Sequence, residues 1–217
     1  RYNLREFSDV AHSVGAILVV DATQSMGMVP IDAVASGADV IISSGYKWLR
    51  GTYGASVGYL SPEAKKLVPG IVGFRSNEDI WDMRSDRMNL PEDASRFEFT
   101  TLHFGALRGL AASIEEMLEI GIEKIWEHDV SLSGMVVQLA NARGLVVTSP
   151  TDDDQRSAIV SIRPPPEHHS AEIVRRLQDE FGILVTDRSG MIRVSPHIDN
   201  DHSQIEFLFT SLDTILA

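Results

Sequence analysis

Apolar and polar positions form two different patterns along the first sixty residues, a helical period and short continuous apolar runs. Apolar residues recur every three or four positions over residues 1–14, which predicts a helix. The runs at residues 16–20 and 38–42 are short and wholly apolar, as in strands buried on both faces of a sheet. A short helix or turn over residues 31–36 separates them, and residues 55–60 form a third predicted strand. This order of helices and strands predicts an α/β fold with a mostly parallel sheet.

The second half of the chain begins with long helical patterns and then changes character. Helices are predicted over residues 104–120 and 122–142, each followed closely by a glycine stop signal. The later predicted elements are strands over residues 145–147 and 158–162, a helix over 170–181, strands over 183–186 and 191–195, and a last helix over 202–216. Shorter strands mixed with helices predict an α+β module for this part.

This change in pattern predicts two domains, with a boundary near residue 125. Residues 1–125 are assigned to a large α/β domain and residues 126–217 to a smaller α+β domain. Residues 70–95 show little periodicity and many polar side chains, so we expect a long functional loop there.

Composition narrows the classes of partner. The chain has 217 residues, of which 43% are apolar and 23% charged, an ordinary globular mixture. A net charge of −12 argues against nucleic-acid binding, and no apolar run is long enough to span a bilayer. We therefore expect a soluble, cytoplasmic protein without nucleic-acid or membrane partners. The absence of cysteine excludes a disulfide framework and a cysteine nucleophile within these residues.

Polar side chains follow two neighbouring predicted strands. Asp21 and Gln24 come after the first strand, and Ser44 and Lys47 come after the second. The carboxyl ends of neighbouring parallel strands meet at one edge of a sheet, where ligands bind, so these groups can converge. A lysine amine held among aromatic residues is able to form a Schiff base with a carbonyl cofactor. Such a cofactor needs a carboxylate, a hydrogen-bond donor and hydroxyl groups around it.

Other interpretations of these residues stay open at this point. A lysine beside Trp48 is often a surface residue whose stem covers the ring. An aspartate that ends a buried strand could hold the metal of a nucleotide hydrolase, although this leaves Lys47 and Arg193 unexplained. The pair His168 and His169 precedes a helix as a solvated turn, so we expect no metal site there.

Two segments carry a family resemblance. VVDATQS at residues 19–25 and SSGYKW at residues 43–48 resemble the cofactor site of class V aminotransferases, which are fold-type I pyridoxal-phosphate enzymes. The resemblance implies a partial large domain of that fold, followed by the small domain. It also implies pyridoxal 5'-phosphate as the cofactor and Lys47 as the Schiff-base lysine.

The same resemblance implies roles for the neighbouring residues. Asp21 would pair with the pyridinium nitrogen, Gln24 would reach the ring hydroxyl, and Ser44 would contact the phosphate. Many members have histidine immediately before the lysine, whereas this chain has Tyr46, as kynureninase-like members do. The tyrosine implies a phenolic contact to the phosphate and weakens an assignment to the desulfurase branch.

Two later segments resemble the same family. RFEFTT at residues 96–101 is similar to the RFExGT signature, which implies that Thr101 crosses a homodimer interface to the partner's cofactor phosphate. IRVSPH at residues 192–197 is similar to the stretch whose arginine binds the substrate α-carboxylate, which implies that role for Arg193.

The resemblance implies an enzyme that acts on an amino acid, with an aminotransferase as the first choice. Kynureninase-like, C–S lyase and epimerase activities on the same fold are the alternatives, and the lack of cysteine disfavours a desulfurase that relies on its own thiol. Family members are longer, so we expect the large domain to be truncated at its N-terminus. A catalytically silent module without cofactor is the competing hypothesis from another class.

Overall fold

The computed structural model describes residues 1–217 and contains six α-helices and seven strands. The elements, in chain order, are α1 (Leu4–Ser13), β1 (Val19–Asp21), α2 (Ala33–Ser36), β2 (Val40–Ser44), β3 (Ser56–Leu60), α3 (Phe104–Ile120), α4 (Ile122–Ala142), β4 (Val146–Val147), β5 (Val160–Arg163), α5 (Ser170–Phe181), β6 (Thr186–Arg188), β7 (Met191–Val194) and α6 (His202–Leu216). Between β3 and α3 the chain forms only three short 3-10 helices, at Ala64–Lys66, Phe74–Ser76 and Ala94–Phe97. The predicted long loop over residues 70–95 is therefore irregular apart from such turns.

The chain folds into two compact units. The N-terminal unit contains Asn3–Gly27 and Ile31–Glu119. The C-terminal unit contains Ile120–Ala217, together with Arg1–Tyr2 and Met28–Pro30. The functional domain assignment, with its boundary near residue 125, stays a prediction.

The N-terminal unit is built on a three-stranded sheet in the order β1-β2-β3. β1 and β2 are parallel, with Asp21 opposite Ile42. β3 is antiparallel to β2, and Ser44 lies opposite Ser56. A parallel return needs a long crossover connection, usually a helix, whereas the chain between β2 and β3 is a short loop. The sheet is therefore mixed, and the parallel pair is the one whose ends carry the candidate chemistry.

Only one face of this sheet is covered by the described chain. Ile41 is fully buried and packs with Ala22 and Ala38, whereas Val19 and Ile42 are 53% and 46% exposed. Successive strand residues point to opposite faces, so the exposed positions share the uncovered face. The expectation that both apolar runs are buried on both faces is therefore wrong for these residues. Helix α1 also exposes apolar side chains, including Val10.

A buried carboxylate ties α1 to the start of β2. Asp39 is 7% exposed, and its Oδ2 accepts hydrogen bonds from His12 Nε2 (2.9 Å) and from the backbone N–H of Leu18 (2.8 Å). Burial alone would raise the pKa of Asp39, but the hydrogen bonds from His12 and Leu18 outweigh it and lower the pKa. Asp39 is consequently charged at neutral pH and stabilises the fold in that form.

This arrangement predicts acid sensitivity. A carboxylate whose pKa is lower in the folded state contributes stability above its unfolded pKa of about 4 and loses it as pH falls through the folded value. We expect Asp39→Asn to lower the free energy of unfolding by about 1–3 kcal/mol at pH 7, and by less at pH 3. Urea unfolding at both pH values measures this. Asp9→Asn, at an exposed ion pair with Arg5, is the control and should change stability little. An equal loss at both pH values would contradict the assignment.

The C-terminal unit contains a four-stranded sheet in the order β4-β5-β7-β6, with every pair antiparallel. Helices α4, α5 and α6 supply the other side of its core. The fully buried members include Leu132, Val136, Ile162, Ile173, Leu177, Ile192, Phe209 and Leu212. This is the α+β arrangement that the sequence predicts for this part of the chain.

The segment that follows β7 is fixed by a buried polar pair. Asp129 on α4 is completely buried, and its Oδ2 lies 2.7 Å from Nδ1 of His197. The backbone N–H of His197 donates to Asn200 Oδ1, and the backbone carbonyl of Asn200 lies 2.9 Å from His128 Nε2. These contacts hold the end of the IRVSPH stretch against α4.

No helix in the structure is both long and apolar enough to cross a bilayer.

Candidate active site

Asp21 stands at the carboxyl end of β1. The strand ladder continues one residue further, because the N–H of Ala22 donates to the carbonyl of Ile42 (2.7 Å). The chain then turns, and the N–H of Thr23 donates to Asp21 Oδ1 (2.9 Å). Hydrogen bonds from the hydroxyl and the backbone N–H of Thr23, together with the charge of Lys47, hold the pKa of Asp21 below its ordinary value. An exposed, ionised carboxylate is thus available at this edge of the sheet.

Thr23 also joins the ends of the two parallel strands. Its Oγ1 accepts a hydrogen bond from the backbone N–H of Ser44, the last residue of β2, at 3.1 Å. Asp21, Thr23 and Ser44 therefore form one hydrogen-bonded group across the sheet edge. The prediction that polar residues from both strand ends lie together agrees with this geometry.

Lys47 lies on a compact loop between β2 and β3. The N–H of Gly45 donates to the carbonyl of Ala55 (2.9 Å), and the N–H of Gly51 donates to the carbonyl of Gly45 (2.8 Å). Inside this closure, the N–H of Arg50 donates to the carbonyl of Lys47 (2.8 Å). Glycine suits position 45 because a Cβ there would come within 2.9 Å of the Leu110 side chain on α3 and within 3.0 Å of the carbonyl oxygen of Ala55.

Two side chains of helix α3 bind the loop that carries Lys47. Ser113 Oγ donates to the carbonyl of Leu49 (2.7 Å), and Arg50 forms an ion pair with Glu116 (3.0 Å). Arg50 has a φ of 55°, which is unfavourable for a residue with a Cβ. The backbone around Lys47 is therefore held in a specific, strained shape by a long helix.

The two turns that carry the candidate residues pack directly on each other. Gly27 closes the turn that holds Asp21 and Gln24, and it has a φ of 101°. A Cβ at Gly27 would lie 2.5 Å from the carbonyl oxygen of Trp48, next to Lys47. No side chain fits between the two backbones, so Gly27 permits their close approach.

One aromatic ring lies beside the amine of Lys47. Its Nζ lies 5.7 Å from the centre of the Tyr46 ring, within the range of a cation–π contact. The Tyr46 ring stacks on Tyr53, with centroids 4.5 Å apart, and both rings are exposed to solvent. Lys47 is only half-buried, so the amine is accessible to a small molecule.

Two further predicted residues of the N-terminal unit are exposed to solvent. Gln24 lies on the same turn as Asp21, and Thr101 lies just before α3. The segment before Thr101 is anchored by an ion pair of Glu98 with Arg75 (2.7 Å). The proposed contacts of Gln24 and Thr101 with a cofactor stay predictions.

Arg193 lies in the C-terminal unit, on β7. Its Nε donates to Thr186 Oγ1 (3.1 Å) on the neighbouring strand β6, and its guanidinium forms no ion pair with a carboxylate of the chain. Burial, together with the positive charge of Arg188, lowers the pKa of Arg193. A half-buried guanidinium beside a second arginine favours an anion in its vicinity. The proposed role as carboxylate anchor stays a prediction.

Three residues of this site are absent from the sequence predictions. Thr23 gives only a weak sequence signal, its position between Asp21 and Gln24, because a threonine in a turn has many ordinary uses. Tyr53 stacks on Tyr46 only because the loop folds back, and no sequence spacing reveals that. Gly27 reads as an ordinary turn glycine until the approach of Trp48 is seen.

The groups present suit a cofactor with a cationic ring, a carbonyl and a phosphate. Asp21 offers a carboxylate that is ionised at neutral pH, and Lys47 offers an accessible primary amine. Ser44 and Tyr46 offer hydroxyl groups beside them. These are the functional groups that pyridoxal phosphate needs from a protein.

Comparisons with known proteins point the same way. The family model "Aminotransferase class-V" matches residues 2–208. A probable cysteine desulfurase of Pyrococcus abyssi is 28% identical over 99% of this chain and 56% of its own length. A kynureninase of Geobacillus thermodenitrificans is 25% identical over 89% of this chain and 46% of its own.

Among solved structures, the apo cysteine desulfurase of Thermococcus onnurineus superposes with a TM-score of 0.87 and 26% identity. The match covers 98% of this chain and 56% of that one. The chain therefore spans about half the length of the relatives it matches, and it has the fold of the corresponding part of them.

Proposed function

Because the chain belongs to the class V aminotransferase family, whose enzymes use pyridoxal 5'-phosphate, we propose that it carries the lysine-bearing part of an enzyme that acts on an amino acid. The supporting observation is the joint geometry of Asp21, Ser44 and Lys47 at one sheet edge. Each residue type alone is common at a protein surface. A carboxylate, an amine and hydroxyl groups held together by Thr23 and Gly27 are not expected by chance.

Each residue has a proposed task. Bound pyridoxal phosphate supplies an aldehyde that condenses with amines and a ring that stores the electron pair released by the substrate. Lys47 would hold the cofactor covalently through Nζ, and its free amine would accept the proton from the substrate α-carbon. Asp21 would keep the ring nitrogen protonated through its negative charge. Ser44 and Tyr46 would donate hydrogen bonds to the phosphate, and Gln24 would donate to the ring hydroxyl.

The C-terminal unit is proposed to recognise the substrate. Arg193 would bind the α-carboxylate with its two Nη atoms, because its Nε is already engaged by Thr186. A guanidinium and a carboxylate form a planar two-point contact, which orients the substrate as well as binding it. The absence of a carboxylate of the chain beside Arg193 leaves this contact available.

Among reactions, we propose transamination first and kynureninase-like cleavage second. The second choice is favoured by Tyr46, whose phenol precedes the lysine and lies beside its amine, and by the similarity to a kynureninase. The described residues contain no cysteine, so no thiol within them can accept sulfur from a substrate. A cysteine desulfurase or C–S lyase that needs a thiol from this part of the chain is disfavoured.

We also propose a cytoplasmic homodimer with a shared active site. The homodimer part of the proposal rests on Thr101, which is exposed and matches the family's residue that reaches the partner's phosphate. Analytical ultracentrifugation measures the oligomeric state directly, and a monomer that binds the cofactor would contradict the role of Thr101.

The decisive experiment is chemical trapping. We expect that incubation with pyridoxal phosphate, reduction with sodium borohydride and peptide mapping will find a phosphopyridoxyl group on the peptide that contains Lys47. Reduction freezes a reversible carbon–nitrogen bond, so the modified residue identifies the Schiff-base lysine. Modification of surface lysines alone would contradict the proposal.

Products then separate the two reactions. A transaminase forms one new amino acid for each 2-oxo acid consumed and needs that acceptor to turn over. A kynureninase-like or C–S lyase cleaves its substrate without an acceptor. Turnover with and without a 2-oxo acid, followed by chromatography of the products, distinguishes them.

A further inference from the structure

We propose that Thr23 is the positioning residue of this site, which sets the orientation of the Asp21 carboxylate by donating its hydroxyl proton to it. The proposal deepens, and rests on, the proposed function, in which Asp21 holds the cofactor ring nitrogen. Thr23 would act through Asp21 and would not touch the reacting atoms.

The first step in the argument is that the Asp21 side chain lies outside the sheet ladder. Asp21 is the last residue of β1, and its side chain is exposed. Its Oδ1 accepts the backbone N–H of Thr23 at 2.9 Å, and the side chain of that same residue is the main cause that lowers the pKa of Asp21. The Thr23 backbone therefore holds this carboxylate close to the Thr23 hydroxyl.

The second step is the direction of the hydroxyl proton. Thr23 Oγ1 accepts the backbone N–H of Ser44 at 3.1 Å. With this lone pair engaged by a donor, the hydroxyl's own proton is directed toward another acceptor. We infer that this acceptor is the Asp21 carboxylate, which the backbone N–H of the same residue holds nearby. The hydrogen bonds therefore run from Ser44 N–H to the Thr23 hydroxyl and on to the carboxylate, and successive bonds of this kind strengthen one another.

The third step is what this link connects. Ser44 is the proposed phosphate contact and Asp21 the proposed ring contact, so Thr23 ties together the groups at the two ends of the cofactor. A carboxylate held at a fixed distance from the phosphate contact is preorganised for one ligand length. A serine at position 23 preserves the link, whereas valine has the same shape and lacks the hydroxyl.

The test compares Thr23→Val and Thr23→Ser with the parent protein. The first readout is the pKa of Asp21, measured by carboxyl ¹³C NMR without cofactor. Loss of the hydroxyl removes a donor to the charged form, so Thr23→Val raises this pKa and Thr23→Ser leaves it near the parent value. The second readout is the dissociation constant for pyridoxal phosphate, expected to rise about tenfold in Thr23→Val and to stay within about twofold in Thr23→Ser.

The outcomes separate the two proposals. An unchanged Asp21 pKa and unchanged affinity in Thr23→Val would overturn the role of Thr23. Failure of Thr23→Ser to match the parent would overturn it too, because the methyl group and not the hydroxyl would then be responsible. If the parent binds no pyridoxal phosphate while the Asp21 pKa still follows the hydroxyl, the orienting contact stands and the proposed function alone fails. Thr23→Ala repeats the comparison should Thr23→Val not fold.

Discussion

Lys47→Ala is expected to reduce borohydride-trapped pyridoxal phosphate to the background seen on surface lysines. Its Nζ is the only proposed covalent contact to the cofactor, and alanine removes the nucleophile and the proton acceptor together. Turnover should fall by about 10³-fold or more, in line with the loss of a positioned acid–base group. Peptide mapping and initial rates of the same samples measure both effects.

The fold should survive this change. Lys47 is half-buried and its backbone, not its side chain, closes the loop, so the free energy of unfolding should change by no more than about 0.5 kcal/mol. Lys66→Ala is the matched control, because Lys66 is an exposed lysine paired with Glu63 in the same unit. Trapping of a cofactor on another lysine in folded Lys47→Ala would show that the site has been assigned to the wrong residue.

Gly27→Ala is expected to disrupt the site through the backbone. The added Cβ would lie 2.5 Å from the carbonyl oxygen of Trp48 and 2.7 Å from its carbonyl carbon. Neither backbone atom can move away as a flexible side chain would, and the φ of 101° is itself unfavourable for alanine. We expect a loss of about 3 kcal/mol or more in the free energy of unfolding, from strain and steric overlap combined.

Gly15→Ala is the control that has the backbone strain without the steric overlap, so its difference from Gly27→Ala measures the overlap. Gly15 also has a positive φ, of 72°, but nothing lies within 4 Å of its Cβ position. It should therefore cost only the backbone strain, about 1–2 kcal/mol. Urea unfolding of both variants gives the difference, and trapping with pyridoxal phosphate should fall in Gly27→Ala alone. Equal destabilisation of the two variants would contradict the close packing of Gly27 on Trp48.

The helices show how far local pattern determines this fold. The predicted bounds of α3, α5 and α6 agree with the structure because a periodic apolar face and a stop signal such as Gly182 act within one segment. The direction of β3 was harder to predict, since it depends on the length and shape of the loop after Ser44. The uncovered sheet face was not predictable from apolar runs, because a run of valines and isoleucines does not say what packs on each side.

Some contacts of the candidate site could also be predicted from the sequence, and others could not. The meeting of Asp21 with Ser44 follows from strand order alone, because parallel strands end at a common edge. The Thr23 link and the Gly27 contact depend on atomic distances between turns that are distant in sequence. Such contacts have no period and no motif, so only the folded chain shows them.

The uncovered sheet face has a practical consequence for handling the protein. Val19 and Ile42 share an apolar surface that the described residues leave in contact with water. At neutral pH the net charge of −12 keeps molecules apart, but the charge vanishes near the pI of about 4.9. Colloidal stability should therefore be lowest in mildly acidic buffers, where neutral molecules meet through this surface and precipitate. Acid titrations of Asp21 and Asp39 belong in dilute samples that pass through this range quickly.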